Sequence, residues 1–341
     1  MIDITQIEKK ELKKRLSEQQ IEVDLLVDKL IESKKVLMIC GPTCVGKSKT
    51  GINLACLLGT DIISIDSMQI YKGMDIGTDK VDTKDLGIKQ YMVSLFEPDR
   101  YVTAVEFKNM CRNIIENQFF KKKKVPILVG GSGLYMRAVL DKLDFAPQRD
   151  KEIRKKIKEE IRQEGLDKTY SKLKQVDPGY SKKIGSNDER RIIRALEVYR
   201  ISGKPYSKFQ KAWKKWESIY DVVFIGLNKQ RKSLYKDIND RVESMFEKGL
   251  VKEVEKLNDK GYKDSYSVQQ AVGYKEVIGY LEGKISHEQC VDEVKKNTRR
   301  LAKKQLTWFR NDPRINWIRV DNYDNILSLK IDITKLLYNS F

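Results

Sequence analysis

One eight-residue segment constrains the fold of this chain more than any other. It matches the pattern GxxxxGK[ST] in full and consists of Gly41, Pro42, Thr43, Cys44, Val45, Gly46, Lys47 and Ser48. The apolar run Val36–Cys40 precedes it and a helical pattern follows it. This strand–loop–helix context is the one that a phosphate-binding loop requires.

The chemistry of the segment predicts a di- or triphosphate ligand. Its glycines let backbone N–H groups point at phosphate oxygens, and the helix that follows adds the positive end of its dipole. We expect Lys47 to reach the outer phosphate, while the hydroxyl of Ser48 suits a Mg²⁺ ligand. The segment alone does not say which compound carries the phosphates.

Short apolar segments alternate with helical patterns around this loop. Residues 36–40, 61–65, 125–129 and 222–227 predict buried strands, and residues 317–320 predict a last one. Strands that alternate with helices pair in parallel with right-handed crossovers. The expected fold class is therefore α/β, a P-loop NTPase-like parallel sheet flanked by helices, with a basic all-helical insertion.

The sequence divides into an N-terminal segment, a catalytic core and the insertion, which differ in composition and periodicity. Residues 1–35 carry apolar positions at helical spacing and predict one or two helices packed on the core. Residues 141–216 predict helices broken by turns, and they hold 22 Lys or Arg against 12 Asp or Glu. The catalytic core is expected to comprise residues 36–140 and 217–341.

Charge and residue content exclude several kinds of protein. The chain has 67 Lys and Arg against 49 Asp and Glu, a formal net charge of +18, which suits a polyanionic partner. Its five cysteines form no CxxC pair and His287 is the one histidine, so neither a zinc site nor Ser-His chemistry is expected. No apolar run approaches the roughly 20 residues of a membrane span. We expect a cytoplasmic monomer with no membrane partner.

A candidate catalytic carboxylate follows the second predicted strand. In an ATPase, an Asp at the end of an apolar strand holds magnesium, but the strand ending at Val129 runs into Gly-Gly-Ser-Gly at residues 130–133. Asp66 instead ends the strand before it, at the sheet edge where ligands of open α/β folds bind. A helix N-cap is the structural alternative for an Asp in this place.

These motifs resemble those of the tRNA dimethylallyltransferase family, also called tRNA isopentenyltransferases. The phosphate loop is similar to the family's GPTxxGKT, and residues 61–78 are similar to its second signature almost throughout. Further matches are residues 126–135 to PxLVGGTGLY, residues 187–199 to NDxxRIxRALEV, and residues 270–276 and 298–310. The resemblance spans about residues 36–310, in order.

The resemblance implies a prenyl transfer. The exocyclic N6 amine of an adenosine in tRNA, beside the anticodon on its 3′ side, would attack dimethylallyl diphosphate, and diphosphate would leave. The phosphate loop would then bind the leaving group instead of ATP, with Mg²⁺ as cofactor. Asp66 would accept a hydrogen bond and finally the proton from the amine, and Ser132, where the family has Thr, would contact the reacting centre. Arg241 matches an arginine that helps to bind the diphosphate.

The resemblance also implies which residues hold the anticodon arm of tRNA. They are Asp66, Ser67, Met68, Gln69, Ser132, Arg154, Arg190, Arg191, Ile192, Ile193 and Arg194. A basic helical insertion suits RNA because positive charge positions the phosphate backbone. A buried amine is reached only when its nucleotide is flipped out.

Besides the conservative replacement of Thr by Ser at Ser48 and Ser132, three positions depart from the family pattern. Gln90 and Tyr91 stand where the family often has two histidines, which suggests that those histidines do no essential chemistry. Asp237 lies where many members have Arg, which puts part of the diphosphate or RNA contact in doubt. Residues 1–35 lie outside the family pattern.

Three other functions compete with this interpretation. A prenyltransferase that acts on free adenine nucleotide would share the loop and Asp66 but would not need the basic insertion. A small-molecule kinase is disfavoured because no Asp follows the strand at Val129. An RNA-binding protein with no chemistry of its own would leave Asp66 beside the loop unexplained.

Overall fold

A six-stranded parallel sheet organises the larger part of the chain. A computed structural model describes residues 11–18, 21–210, 213, 215–323 and 326–341. Within these residues the strands are β1 (Val36–Cys40), β2 (Ile62–Ser64), β3 (Gln90–Tyr91), β4 (Ile127–Val129), β5 (Val222–Asn228) and β6 (Ile315–Arg319). Their spatial order is β3-β2-β4-β1-β5-β6 and every pairing is parallel. This agrees with the predicted P-loop-like sheet.

Helices flank the sheet or form the insertion. They are α1 (residues 11–17), α2 (Val23–Glu32), α3 (Lys47–Leu58), α4 (Ala104–Ile114), α5 (Gly133–Leu140), α6 (Lys151–Glu164), α7 (Leu166–Val176), α8 (Pro178–Ser181), α9 (Glu189–Ser202), α10 (Tyr206–Phe209), α11 (Arg231–Glu247), α12 (Leu250–Asp259), α13 (Tyr266–Gln270), α14 (Tyr274–Leu281), α15 (His287–Phe309) and α16 (Ile326–Tyr338). Residues 115–120 continue α4 as a π-helical turn.

Strand β1 lies at the centre of the hydrophobic core because both of its faces are covered. All five of its residues are buried. Met38 belongs to the core cluster on one face, with residues of α4, α5 and α14, whereas Leu37 and Ile39 belong to the cluster on the other face, with α3 and α16. Side chains alternate between faces along a strand, and parallel sheets covered on both faces therefore read as continuous apolar runs.

The N-terminal helices pack on this core, as the sequence predicts. Leu12 and Leu16 of α1 and Leu26 and Leu30 of α2 are buried in the cluster that contains Leu37. Burial of four leucines explains the helical spacing of apolar residues in this segment. The first ten residues of the predicted leader lie outside the described residues.

The chain divides into two compact units. Residues 142–217 form the smaller unit, and the remaining residues form the larger one. The predicted bounds of the insertion, 141–216, differ from this division by one residue at each end. The smaller unit has its own core, and its described helices are α6 to α10.

A buried ion network lies at the point where the chain leaves the larger unit. Asp141 is 1% exposed, accepts a hydrogen bond from Arg137 Nε across 2.6 Å and pairs with Arg314 Nη1 at 2.7 Å. Arg112 donates to the backbone oxygen of Asp141 at 2.9 Å. Asp141 also bridges to Ser218, so the two chain ends at this boundary are held together. All these residues belong to the larger unit, and the paired charges stabilise it because breaking a buried pair leaves an uncompensated charge.

Candidate active site

The phosphate loop has the positive-φ backbone that its glycines favour. Gly41 and Gly46 have φ of 140° and 98°, and Cys44 has φ of 65°. A Cβ on Gly41 would lie 2.4 Å from the carbonyl oxygen of Leu227, so only glycine fits where the loop leaves β1. Gly46 is the N-cap of α3, which directs the N-terminus of this helix at the loop.

Lys47, the first residue of α3, folds back onto the loop. Its Nζ donates a hydrogen bond to the carbonyl oxygen of Pro42 across 2.6 Å. The pKa of Lys47 is lowered to about 8, mainly by burial and in part by the Arg241 guanidinium, while the Asp66 carboxylate opposes the shift. A cation held in a partly desolvated loop next to another cation favours an anionic ligand.

A cavity of about 390 Å³ opens beside the loop. Its lining combines loop residues, carboxylates and one arginine: Thr43, Cys44, Gly46, Lys47, Ser48, Lys49, Asp66, Gln69, Thr78, Asp79, Val81, Val129, Gly130, Gly131, Asp237 and Arg241. The structure thus brings together the predicted Lys47, Ser48, Asp66 and Arg241 around one space.

A second cavity of about 110 Å³ shares part of this lining and adds apolar side chains. The shared residues are Thr43, Lys47, Asp66, Thr78, Gly131 and Arg241. The apolar additions are Met68, Met245, Ala271, Val272, Val294 and Leu301. A charged space next to an apolar one suits a ligand with an anionic head and a hydrocarbon tail.

Asp66 occupies the tight turn that follows β2. One carboxylate oxygen, Oδ1, accepts a hydrogen bond from the backbone N–H of Met68 across 2.8 Å. The side chain is half-buried and lines both cavities. Gln69 holds the same turn, since its Oε1 accepts from Ser64 Oγ at 2.7 Å and its Nε2 donates to the carbonyl of Thr78 at 3.0 Å. The carboxylate is therefore oriented by its own turn.

The chain matches the family model described as IPP transferase over residues 69–312. It is 43% identical over 307 residues to the tRNA dimethylallyltransferase of Thermoanaerobacter sp. (strain X514), covering 89% of this chain and 97% of that relative. It is 44% identical over 287 residues to the tRNA dimethylallyltransferase of Carboxydothermus hydrogenoformans, covering 84% and 92% of the two chains. The chain belongs to the IPP transferase family.

Solved structures agree with this assignment. The full-length tRNA isopentenylpyrophosphate transferase of Bacillus halodurans superposes with a TM-score of 0.66 at 36% identity, covering 90% of this chain and 96% of the other. A eukaryotic dimethylallyltransferase acting on tRNA superposes with a TM-score of 0.76 at 28% identity, covering 89% and 79%. The sequence resemblance to this family is thus confirmed across most of the chain.

Several residues of this chain that line or support the cavity were not predicted from the sequence. Gln305 Oε1 accepts from the backbone N–H of Thr43 at 2.8 Å, and its Nε2 donates to the carbonyl of Gly131 at 3.0 Å. Asp79 lines the larger cavity and accepts a hydrogen bond from Arg241 Nη1 at 2.9 Å. Gln305 lies in the stretch 298–310 that matches the family, and this match was the signal that could have identified it. Asp79 lies just after the second signature, residues 61–78, so no motif pointed to it.

Glu253 supports the loop that leads to the cavity wall. Its carboxylate accepts hydrogen bonds from the backbone N–H groups of Asp75, Ile76 and Gly77 at 2.9, 2.8 and 3.2 Å. The hydroxyl of Tyr274 donates to the same carboxylate at 2.6 Å. Three backbone donors on one carboxylate fix the loop that leads to the cavity wall.

Ser132 lies at the start of α5. It is the N-cap of α5 next to Gly131, but its side chain makes no capping hydrogen bond and it is not among the residues that line either cavity. Ser67 likewise lies outside both linings, whereas Met68 and Gln69 each line one. The predicted contact of Ser132 with the reacting centre therefore stays a prediction.

The residues that depart from the family pattern each interact with a neighbouring residue. Gln90 donates to the carbonyl of Val81 at 2.6 Å, and the ring of Tyr91 packs edge-on against Phe119 at 5.6 Å. Asp237 lines the larger cavity and pairs with Lys229 at 2.5 Å. The Asp237 carboxylate thus has Lys229 as its ion-pair partner.

Histidine and cysteine chemistry finds no support at the site. His287 packs edge-on against the rings of Phe246 and Tyr280, each 5.4 Å away. The five cysteines are free thiols, and burial raises the pKa of Cys44, the one that lines the cavity. A protonated thiol is a poor nucleophile.

In the smaller unit, two of the predicted tRNA contacts are wrong as side-chain contacts. Ile192 and Ile193 are 0% and 2% exposed and belong to the unit's hydrophobic core. A side chain buried in this way cannot reach an RNA molecule. Arg190 and Arg191 lie on the exposed face of the same helix, α9.

Arg154 and Arg194 have an internal role in this unit. Both pair with Glu197 Oε2, at 3.0 and 2.8 Å, and Glu197 is fully buried. Arg194 also donates to the carbonyl of Pro147 at 2.6 Å. The two guanidiniums compensate a buried carboxylate, so truncating either one disturbs the fold of the unit as well as its surface charge.

No helix among the described residues is long and apolar enough to cross a membrane. The same residues contain no group of three or more His, Cys, Asp or Glu that could hold a metal ion. Ser48 nevertheless lines the cavity beside Lys47. A single hydroxyl suits Mg²⁺, which keeps several waters and takes further oxygen ligands from a bound phosphate.

Proposed function

We propose that this protein transfers a dimethylallyl group from dimethylallyl diphosphate to the N6 amine of the adenosine that follows the anticodon in tRNA. One observation carries the proposal: Lys47 and Asp66 line the same two cavities in a member of the IPP transferase family. Relatives named tRNA dimethylallyltransferase match nearly their whole length and support the substrate pair.

The proposed binding mode follows from the two linings. The diphosphate lies in the larger cavity, against the loop N–H groups, Lys47 and Arg241, while the five-carbon group points into the apolar smaller cavity. Mg²⁺ with Ser48 as its protein ligand would supply positive charge to the leaving diphosphate. Burial of the hydrocarbon part favours dimethylallyl diphosphate over ATP, whose polar sugar and base would meet the apolar lining.

Asp66 is the residue that handles the proton. Attack by an adenine amine on carbon makes the nitrogen cationic, because a new bond forms before the N–H proton leaves. A carboxylate in hydrogen-bond reach orients the amine and accepts that proton. The bond between the dimethylallyl carbon and the diphosphate oxygen breaks, and its electron pair leaves on diphosphate, which Lys47 and Arg241 stabilise.

The anticodon arm is the proposed RNA substrate, bound in part by exposed basic residues of the smaller unit such as Arg190 and Arg191. Since tRNA functions in the cytoplasm, that is the proposed location. Monomeric action is also part of the proposal. The basic composition supports RNA as the substrate, because RNA affinity depends on neutralising phosphates.

Mass spectrometry of nucleosides tests the function. Unmodified anticodon stem-loop RNA, dimethylallyl diphosphate and the protein are incubated, and the digest should contain adenosine carrying one dimethylallyl group. An RNA with guanosine in place of the target adenosine should give none, and ATP should not replace dimethylallyl diphosphate. Modification of free adenosine monophosphate at the rate seen with RNA would contradict tRNA as the acceptor.

A further inference from the structure

The ion pair between Asp79 and Arg241 lies in the wall of the larger cavity. Arg241 Nη1 donates to Asp79 Oδ2 across 2.9 Å, and the two side chains are 23% and 52% exposed for Arg241 and Asp79 respectively. The Nε of Arg241 is buried and has no hydrogen-bond partner among the described residues. An arginine with an unpaired buried donor has unused capacity for an anion.

The backbone holds Asp79 in this position. Its φ is 55°, a left-handed conformation that residues other than glycine adopt rarely. The preceding residues, 75–77, are fixed by the Glu253 carboxylate, and Thr78 Oγ1 donates to the carbonyl of Met74. The carboxylate of Asp79 is therefore presented to Arg241 by a rigid loop.

We propose that Asp79 is an intramolecular competitor of the diphosphate for Arg241. This inference rests on the proposed function, in which Arg241 binds the diphosphate. A guanidinium binds phosphate oxygens in a fork, so the diphosphate must displace the carboxylate to use the same donors. When the diphosphate product leaves, Asp79 returns to Arg241, which favours product release.

The decisive variant is Asp79→Asn. Asparagine tolerates the left-handed backbone and removes one negative charge, so the loop should keep its conformation. Inorganic diphosphate, titrated in calorimetry in a buffer that contains Mg²⁺, should bind about three- to fivefold more tightly, because the variant weakens the partly exposed ion pair that diphosphate must displace. Diphosphate release should become correspondingly slower.

Two controls separate competition from general charge. Asp75→Asn removes the same charge from the same loop. Asp75 pairs with Lys80 at 2.7 Å and does not line the cavity. This variant should change the affinity for diphosphate less than about twofold. In an Arg241→Ala background, Asp79→Asn should also change affinity less than about twofold, because nothing remains to compete for.

Several results would overturn the inference. Unchanged or weaker diphosphate binding by Asp79→Asn would show that Asp79 does not compete, or that it forms part of the anion site. An equal gain in Asp75→Asn, or in the Arg241→Ala background, would show a general charge effect. If the unaltered protein does not bind diphosphate, the proposed function of the cavity fails and this inference with it, a result distinct from all the others.

Discussion

The side-chain carbonyl of Gln305 accepts a hydrogen bond from the backbone N–H of Thr43 across 2.8 Å. The amide of the same side chain donates to the carbonyl of Gly131. A Cβ on Gly131 would lie 2.4 Å from Gln305 Nε2, so the two are packed without spare room. Helix α15 thus ties the phosphate loop to the loop that follows β4.

Removing the Gln305 side chain, which links these two loops, should impair catalysis. Gln305→Ala leaves two polar backbone groups without their partner, and two hydrogen bonds at about 0.5–1.5 kcal/mol each correspond to a roughly five- to 160-fold loss in kcat/KM. Gln305→Glu keeps an acceptor for Thr43 but places a carboxylate oxygen against the Gly131 carbonyl oxygen, so its loss should be at least as large as that of Gln305→Ala. Steady-state kinetics with both substrates measure these values.

The control for that experiment lies on the same helix. Gln289 is exposed and takes part in the N-terminal capping box of α15. Gln289→Ala removes one side-chain hydrogen bond to the Ser286 N–H and should lower helix stability by about 0.5–1.5 kcal/mol, without a change in kcat/KM beyond about twofold. If Gln305→Ala behaves like this control, Gln305 is only a structural residue of the helix.

Binding of diphosphate should depend on the protonation of Lys47. Its pKa is lowered to about 8 by burial, so the charged form, which an anion prefers, is depleted as the pH rises through this value. Affinity for inorganic diphosphate should therefore fall above pH 8, by up to about tenfold per pH unit, and binding there should take up a proton. Calorimetry in buffers of different ionisation enthalpy measures that uptake.

Lys47→Arg is the matched variant for the pH experiment. A guanidinium stays charged throughout the range, so the fall in affinity above pH 8 should disappear even if overall affinity is lower. Lys47→Met should bind weakly at every pH. A pH profile that is the same in Lys47→Arg and in the unaltered protein would assign the titration to another group.

Exposed arginines of α9 should govern the salt dependence of RNA binding. Arg190→Ala with Arg191→Ala removes two exposed charges, and the log–log salt slope should become shallower by about 0.7–0.9 for each phosphate that they neutralise. Affinity for diphosphate should stay level. Fluorescence titrations of an anticodon stem-loop at several salt concentrations measure the slope, and an unchanged slope would remove these residues from the RNA interface.

Ile193 on the same helix should behave in the opposite way. Because it is 2% exposed in the core of the smaller unit, Ile193→Ala should lower the free energy of unfolding of that unit by about 2–5 kcal/mol. The double arginine variant should change it by less than about 1 kcal/mol. Thermal unfolding of the full chain compares the two, and an undiminished stability of Ile193→Ala would contradict its burial.

The contrast between Ile193 and Arg190 shows what a motif can predict. By resemblance, the segment NDxxRIxRALEV predicts an RNA-binding helix. A motif match does not show, however, which side chains of that helix face the core and which face the solvent. Helical geometry puts Ile192, Ile193 and Leu196 toward the core and leaves Arg190 exposed. Here periodicity, applied within the motif, would have identified the buried positions.

Local features of the site were predictable and distant ones were not. The phosphate loop depends on eight consecutive residues, so its strand–loop–helix setting could be read from the sequence. The bond from Thr43 to Gln305 joins residues 262 positions apart, and the pair Asp79–Arg241 joins residues 162 apart. Strand β3 was missed because its two residues, Gln90 and Tyr91, form no apolar run.

Asp66 is the group proposed to take the proton, and a near-isosteric variant can isolate that role. Asp66→Asn keeps an oxygen that can accept from the Met68 N–H, so the turn after β2 should survive. Asp237→Asn is the matched control, since Asp237 lines the same cavity but pairs with Lys229. Both variants should bind tRNA and dimethylallyl diphosphate nearly as the unaltered protein does.

The most direct test is the single-turnover rate with saturating tRNA and dimethylallyl diphosphate. Loss of a general base typically slows the chemical step by about 10²–10⁴-fold, and this is the expected result for Asp66→Asn, against less than about tenfold for Asp237→Asn. A loss of less than about tenfold in Asp66→Asn, or a defect confined to tRNA affinity, would contradict the assignment of Asp66 as the catalytic base.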